Sequence, residues 1–212
     1  MKLVIFDVDG TLVDSQATIH GCMETAFAGV GLPPPLRADV LSIVGLSLPQ
    51  AMARLAPAAD TATLVDSYKQ AYRAQRMAGN AAETSPLYPG ARAALLRLNA
   101  REDVWLGVAT GKSKRGRDGL IAAHDLHGLF VTRQVADHHP SKPHPSMLMQ
   151  AMADVGARPD QAVMVGDTTY DMDMATAAGM PFIGVSWGYH ATEQLGAARA
   201  ILGDFAELDG LI

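Results

Sequence analysis

Residues Leu3-Val4-Ile5-Phe6 are apolar at four consecutive positions and run into Asp7-Val8-Asp9-Gly10-Thr11. A strand exposed on one face alternates apolar and polar residues. One that is apolar throughout has to be covered on both faces. The chain is thus constrained from its start toward a parallel sheet flanked by helices. In such open sheets, ligands bind beyond the carboxyl ends of the strands. Asp7 and Asp9 stand at that edge. A carboxylate there is costly unless something positive holds it, and a metal ion, or a substrate plus a metal, is the natural partner. The plainer alternative is a turn at Asp9-Gly10 with Asp7 as a helix cap.

The rest of the chain repeats the strand–helix rhythm in two pieces. Strands are expected at Leu3–Phe6, Val104–Ala109, Phe130–Thr132, Ala162–Val165, Phe182–Val185 and Ala200–Leu202. Helices are expected near 90–100, 113–124, 145–155, 171–178 and 190–196. This is the pattern of a doubly wound, mostly parallel α/β sheet. Residues 15–85 differ in texture. Ile19, Cys22, Met23, Ala26, Phe27 and Val30 recur at helical spacing, and Leu48-Met52-Leu55 and Leu64-Tyr68-Ala71-Tyr72 suggest two further helices. Gly31 to Pro35 break the first of these, and Pro86 and Pro89-Gly90 mark the return. The expected organisation is a core of residues 1–14 and 86–212, with an all-helical cap of residues 15–85 hinged near 14–18 and 83–88.

Composition narrows the function classes. The chain has 212 residues, 49% hydrophobic and 18% charged, so it can bury a sizeable core. A net charge of -5 and no basic stripe argue against nucleic acid as a partner. The single cysteine, Cys22, excludes an internal disulfide and suits a reducing cytoplasm. No basic-then-apolar leader opens the chain, and no apolar stretch is long enough to span a membrane.

Two more strand ends and one loop carry chemistry. Leu106-Gly107-Val108-Ala109-Thr110-Gly111-Lys112-Ser113 puts a hydroxyl and free N–H groups at a helix start, an anion site. It is not a P-loop, because the position five residues before Gly111 is Leu106 and not glycine. Pro140-Ser141-Lys142-Pro143-His144-Pro145 restrains a lysine between prolines. Val165-Gly166-Asp167-Thr168-Thr169-Tyr170-Asp171 ends another buried strand in two carboxylates that can face one pocket. Each has a plainer reading: a Ser113 helix cap, a solvated loop lysine, and an N-cap aspartate pair. Taken together, they set carboxylates, a hydroxyl and a lysine on one edge of one sheet. Three carboxylates with backbone oxygen describe a hard-cation site, for which Mg2+ fits best.

In these residues the chain resembles the four motifs of the haloacid dehalogenase-like phosphatase superfamily. Its helical insert looks like that family's C1-type cap. The runs Phe182–Tyr189 and Gly196-Ala197-Ala198 resemble the phosphoglycolate phosphatase-like branch. The resemblance implies Asp7 as a nucleophile forming an aspartyl-phosphate, and Asp9 as general acid and then general base. It implies Mg2+ held by Asp7, the backbone carbonyl of Asp9 and Asp167, with Asp171 in or near the shell. Thr110 and the Gly111 N–H would bind phosphoryl oxygens, and Lys142 would steady the developing charge. Haloacid dehalogenases themselves lack the need for an acid at the second position, so Asp9 favours phosphoryl transfer.

The expected activity is a Mg2+-dependent phosphatase acting on a small phosphorylated metabolite, with 2-phosphoglycolate the first candidate. A sugar phosphomutase, a pyrophosphatase or a nucleotidase shares the same motif pair. A phosphonatase needs a cap lysine, and the cap offers only Lys69. A receiver-like signalling module shares the strand-end residues but not the insert. Monomer and homodimer are both open. Gly45, Arg54, Arg73 and His20 are the cap residues expected near a substrate, each with an ordinary surface or packing role as the alternative. His124, His127, His138 and His139 read as surface or helix-end residues, and Met172 and Met174 as core filler.

Overall fold

The computed structural model describes residues 1–212. Six strands form one sheet: β1 (Lys2–Phe6), β2 (Val104–Thr110), β3 (Phe130–Val135), β4 (Ala162–Gly166), β5 (Phe182–Val185) and β6 (Ala200–Leu202), in the order β3-β2-β1-β4-β5-β6. Every pairing is parallel. From β1 the chain builds outward through β2 and β3, then returns to β4 on the other side. The reversal lies between β1 and β4, where open α/β sheets form their ligand crevice.

Continuous apolarity in β1 serves two cores at once. Val4 and Phe6 point into one, with helices α6 (Ala91–Asn99) and α7 (Lys114–Ala123) and the 3-10 turn at Phe205–Gly210. Leu3 and Ile5 point into the other, with α8 (Ser146–Val155) and α9 (Thr169–Ala177). All four residues are fully buried. Met174 is buried in the second core and Met172 packs against it from the rim.

Five helices lie between β1 and α6: α1 (Gln16–Gly29), α2 (Arg37–Ser42), α3 (Leu48–Leu55), α4 (Thr61–Ala78) and α5 (Ala81–Thr84). They carry their own apolar cluster of 11 buried residues, all between Ile19 and Val65. Tyr170 and Tyr189 reach across to pack on it. The two connections run side by side. Val13 bridges Leu87, Asp14 N donates to Pro86 O at 2.8 Å, and Tyr88 N donates to Leu12 O at 2.9 Å.

The structure departs from the sequence reading in several elements. The helix expected over 190–196 shrinks to a 3-10 turn at Thr192–Gln194. Backbone and side chains just before it are committed elsewhere: Tyr189 N donates to Asp167 Oδ2 at 2.9 Å, and His190 Nδ1 accepts from Thr169 N at 3.1 Å. Strand β3 runs on to Val135 and α9 begins at Thr169. The short helices α2 and α5 give too few residues for a periodic signal.

Candidate active site

Asp7 leaves the end of β1, and its N–H donates to Val165 O of β4 at 2.9 Å, which seats it between the two central strands. At the end of β4, Gly166 passes the chain to Asp167. Thr168 caps α9: its side chain accepts from Asp171 N, while Asp171 Oδ2 accepts from Thr168 N at 3.1 Å and Thr168 Oγ1 at 2.7 Å. This capping box turns Asp171 inward. Asp7, Asp167 and Asp171 are all buried, with carboxylate oxygens within 4.8 Å of one another.

Lys142 reaches this cluster from the loop before α8, next to a cis Lys142–Pro143 bond. Its side chain is fully buried. Nζ lies 2.6 Å from Asp171 Oδ1 and 2.9 Å from Asp7 Oδ1. A solvated loop lysine is therefore ruled out. Asp167 is held by Thr11 Oγ1 at 2.8 Å and by Tyr189 N. Gly10, at φ +83°, is needed here because a Cβ would run into the Asp167 carboxylate.

Asp9 faces a different set. Lys112 Nζ donates to its two oxygens at 2.7 and 2.8 Å, and Ser15 Oγ donates to Oδ1. Ser15 N in turn donates to Tyr189 Oη at 2.9 Å. The Lys112 ammonium lies 5.7 Å from the ring centre of Tyr72 on α4, within cation–π range. Thr110 is buried at the end of β2, and Gly111 lies beneath the insert: a Cβ there would stand 2.7 Å from Leu46 O.

Charge explains the pKa directions. Burial pushes the Asp7 carboxyl up to about 7, with Asp171 and Asp9 adding to it and Lys142 opposing. Burial, then Asp171 and Asp7, hold Asp167 well above the usual carboxylate range. Burial works against the Lys142 ammonium, but Asp171 and Asp7 outweigh it and its pKa is raised. Three carboxylates against one ammonium leave an excess of negative charge. Apart from the ion pair with Lys142, neither oxygen of buried Asp7 accepts a hydrogen bond. Orphaned carboxylate oxygens beside two more carboxylates fit a divalent cation.

The residues of the insert divide. Gly45, at φ +101°, lies over the core, where a Cβ would be 3.2 Å from Thr168 Oγ1. Arg54 donates to Tyr170 Oη at 2.9 Å on the exposed outer side, and Tyr170 Oη donates to Ser42 O. This pair ties insert to core and does not line the site. His20 pairs with Glu24 at 3.4 Å along α1, and Arg73 is exposed. Neither makes a contact with the carboxylate cluster. His124 is a helix-end residue, at the C-cap of α7, but it is buried and not on the surface, and Nε2 contacts Ser85 O at 2.8 Å. His139 sits between Ser146 Oγ and Gln134 Oε1. Lys112 and Ser15 escaped the sequence reading. The one available signal was a lysine two residues past a strand-end threonine, in a segment read as an anion site.

The family model described as haloacid dehalogenase-like hydrolase matches residues 4–185. The chain belongs to the haloacid dehalogenase-like hydrolase family. Among similar proteins, probable phosphatase IndB of Dickeya dadantii (strain 3937) is 37% identical over 218 residues, covering 98% of this chain and 92% of that one. The phosphoglycolate phosphatase of Rhodospirillum rubrum is 35% identical over 221 residues, covering 98% and 89%. A solved hydrolase from Pseudomonas syringae superposes with a TM-score of 0.86 at 22% identity, covering 100% and 98%. For this haloacid dehalogenase-like hydrolase, the buried carboxylates at the β1 and β4 ends are thus set in the fold of its family. No helix is long and apolar enough to cross a membrane.

Proposed function

We propose that this chain is a Mg2+-dependent phosphatase of small phosphomonoesters, with 2-phosphoglycolate the first candidate. The observation that carries the reading is the contrast between two carboxylates one residue apart. Asp7 is buried with open lone pairs beside Lys142, whereas Asp9 is occupied by Lys112 and Ser15, away from the carboxylate cluster.

An Asp7 oxygen attacks phosphorus while the bond from phosphorus to the leaving oxygen breaks. Asp9 gives its proton to that oxygen. Water then attacks the aspartyl-phosphate, Asp9 takes the water proton, and Asp7 and inorganic phosphate are released. Thr110 and the Gly111 N–H receive phosphoryl oxygens, and Lys142 offsets developing charge. Mg2+, held by Asp7, Asp167 and the Asp9 backbone carbonyl with Asp171 at the shell's edge, would favour the ionised nucleophile and neutralise phosphate charge. We take residues 15–85 as the cap that excludes water, with Gly45 above Gly111 as its floor. The names of similar proteins, phosphoglycolate phosphatase among them, support the substrate class. The buried, unpaired thiol of Cys22 suits a cytoplasmic setting.

Asp7→Asn is the direct test. With Mg2+ and 2-phosphoglycolate or an aryl phosphate, phosphate release should drop to background while the circular dichroism spectrum stays that of the parent. Turnover by a folded Asp7→Asn enzyme removes Asp7 as the nucleophile.

A further inference from the structure

We infer that Lys112 is the positioning residue that selects Oδ2 of Asp9 as the oxygen exchanging protons with the leaving group, and that Tyr72 of the insert holds Lys112 in that role. The inference rests on the phosphatase reading above.

The lone pairs of Asp9 make the selection. A carboxylate oxygen offers two acceptor directions. Oδ1 takes both Ser15 Oγ and Lys112 Nζ and is full. Oδ2 takes only Lys112 Nζ, at 2.8 Å, and keeps one direction open. Three hydrogen bonds from two segments far apart in sequence fix the rotation of the group.

Lys112 is spared for this task. Lys142 pairs with Asp7 and Asp171, and the hydrogen bonds of the Lys112 ammonium go to Asp9 alone. Two residues before Lys112 stands Thr110, so the loop that receives the phosphoryl group also sets the acid beside it.

The partners of this contact lie on both sides of the insert–core seam. Tyr72 belongs to α4, Ser15 precedes α1, and Tyr189 Oη accepts from Ser15 N. A displaced insert would carry Tyr72 off the ammonium and loosen Asp9. Proton transfer is thereby made conditional on closure. In the chemical step, the proton leaves Oδ2 for the ester oxygen as the bond from that oxygen to phosphorus breaks. It is replaced from water in the second half-reaction.

The experiment is a leaving-group series: 2-phosphoglycolate, phenyl phosphate, 4-nitrophenyl phosphate and 2,4-dinitrophenyl phosphate, with wild type, Lys112→Met, Lys112→Arg and Tyr72→Leu at saturating Mg2+. A general acid typically contributes about 10²–10⁴-fold for a poor leaving group and little for a good one. Lys112→Met should lose about 10²-fold or more in kcat on 2-phosphoglycolate and far less on the dinitrophenyl ester. Lys112→Arg should recover part of that loss. Tyr72→Leu leaves the ion pair in place, so it also covers the case in which Lys112→Met does not fold. It should show the same slope with a smaller loss, roughly 3-fold or more. Equal losses across the series, a change in KM alone, or a faster Lys112→Met enzyme overturns the assignment. Failure of the phosphatase reading looks different: wild type itself would release no phosphate from any ester.

Discussion

Asp7 and Asp9 are neighbours but one in sequence, and their partners separate their roles. Asp7 ends the strand and falls among carboxylates. Asp9 sits at the turn, where Ser15 and Lys112 reach it. Lys142 is the hinge of the first group, touching both Asp7 and Asp171 from a fully buried position. Removing one preorganised donor of this kind typically costs about 10²–10³ in kcat. Lys142→Met should show that loss with saturating Mg2+, measured as steady-state phosphate release. A guanidinium does not fit a site with no exposed surface, so Lys142→Arg should not restore the rate. Lys142 was legible in sequence because prolines on either side restrain its backbone. Lys112 was not, because its partner lies 103 positions away.

Strands and helices were legible to different degrees. Apolar runs with no alternation, such as Leu3–Phe6 and Ala162–Val165, mark buried parallel strands because burial on two faces demands it. The 190–196 helix failed because local periodicity does not register the bonds from Tyr189 and His190 to the β4–α9 loop. Strand β2 shows how tightly the elements fit. A Cβ on Gly107 would stand 2.8 Å from Thr132 Cγ2 on β3, beside the register shift between Leu106 and Gly107. Gly107→Ala should therefore destabilise the fold by about 1–3 kcal/mol. Urea unfolding should show a lower midpoint with an unchanged slope.

The assembled molecule gathers its carboxylates into one buried site, and that makes stability depend on pH and metal. Burial raises the Asp7 pKa from an ordinary 3.8 to about 7 in the cation-free protein, and Asp167 shifts the same way. The folded state then binds more protons than the unfolded chain between those values. Cation-free stability should fall as pH rises from about 4 to about 7. On the proposed reading Mg2+ would bind the ionised cluster in the folded state only, so it should raise the melting temperature most at the upper end of that window. At a hundred times its dissociation constant, the gain is about 2.7 kcal/mol. Thermal melts with chelator and with Mg2+ at several pH values measure both effects. Parallel curves that ignore Mg2+ would remove the carboxylate cluster as a cation site.

Sequence alone determined the parallel sheet, the helical insert and the four motifs at strand ends and an adjacent loop, because apolar periodicity and motif spacing are local properties. Asp7, Thr110, Lys142, Asp167 and Asp171 could be named from those signals. Tertiary structure alone decided which carboxylate each lysine meets, that Gly45 lies over Gly111, and that Arg54 engages Tyr170 on the outside. Such pairings depend on how separate segments dock. Docking is set by packing and burial across the molecule, which no single stretch of chain encodes.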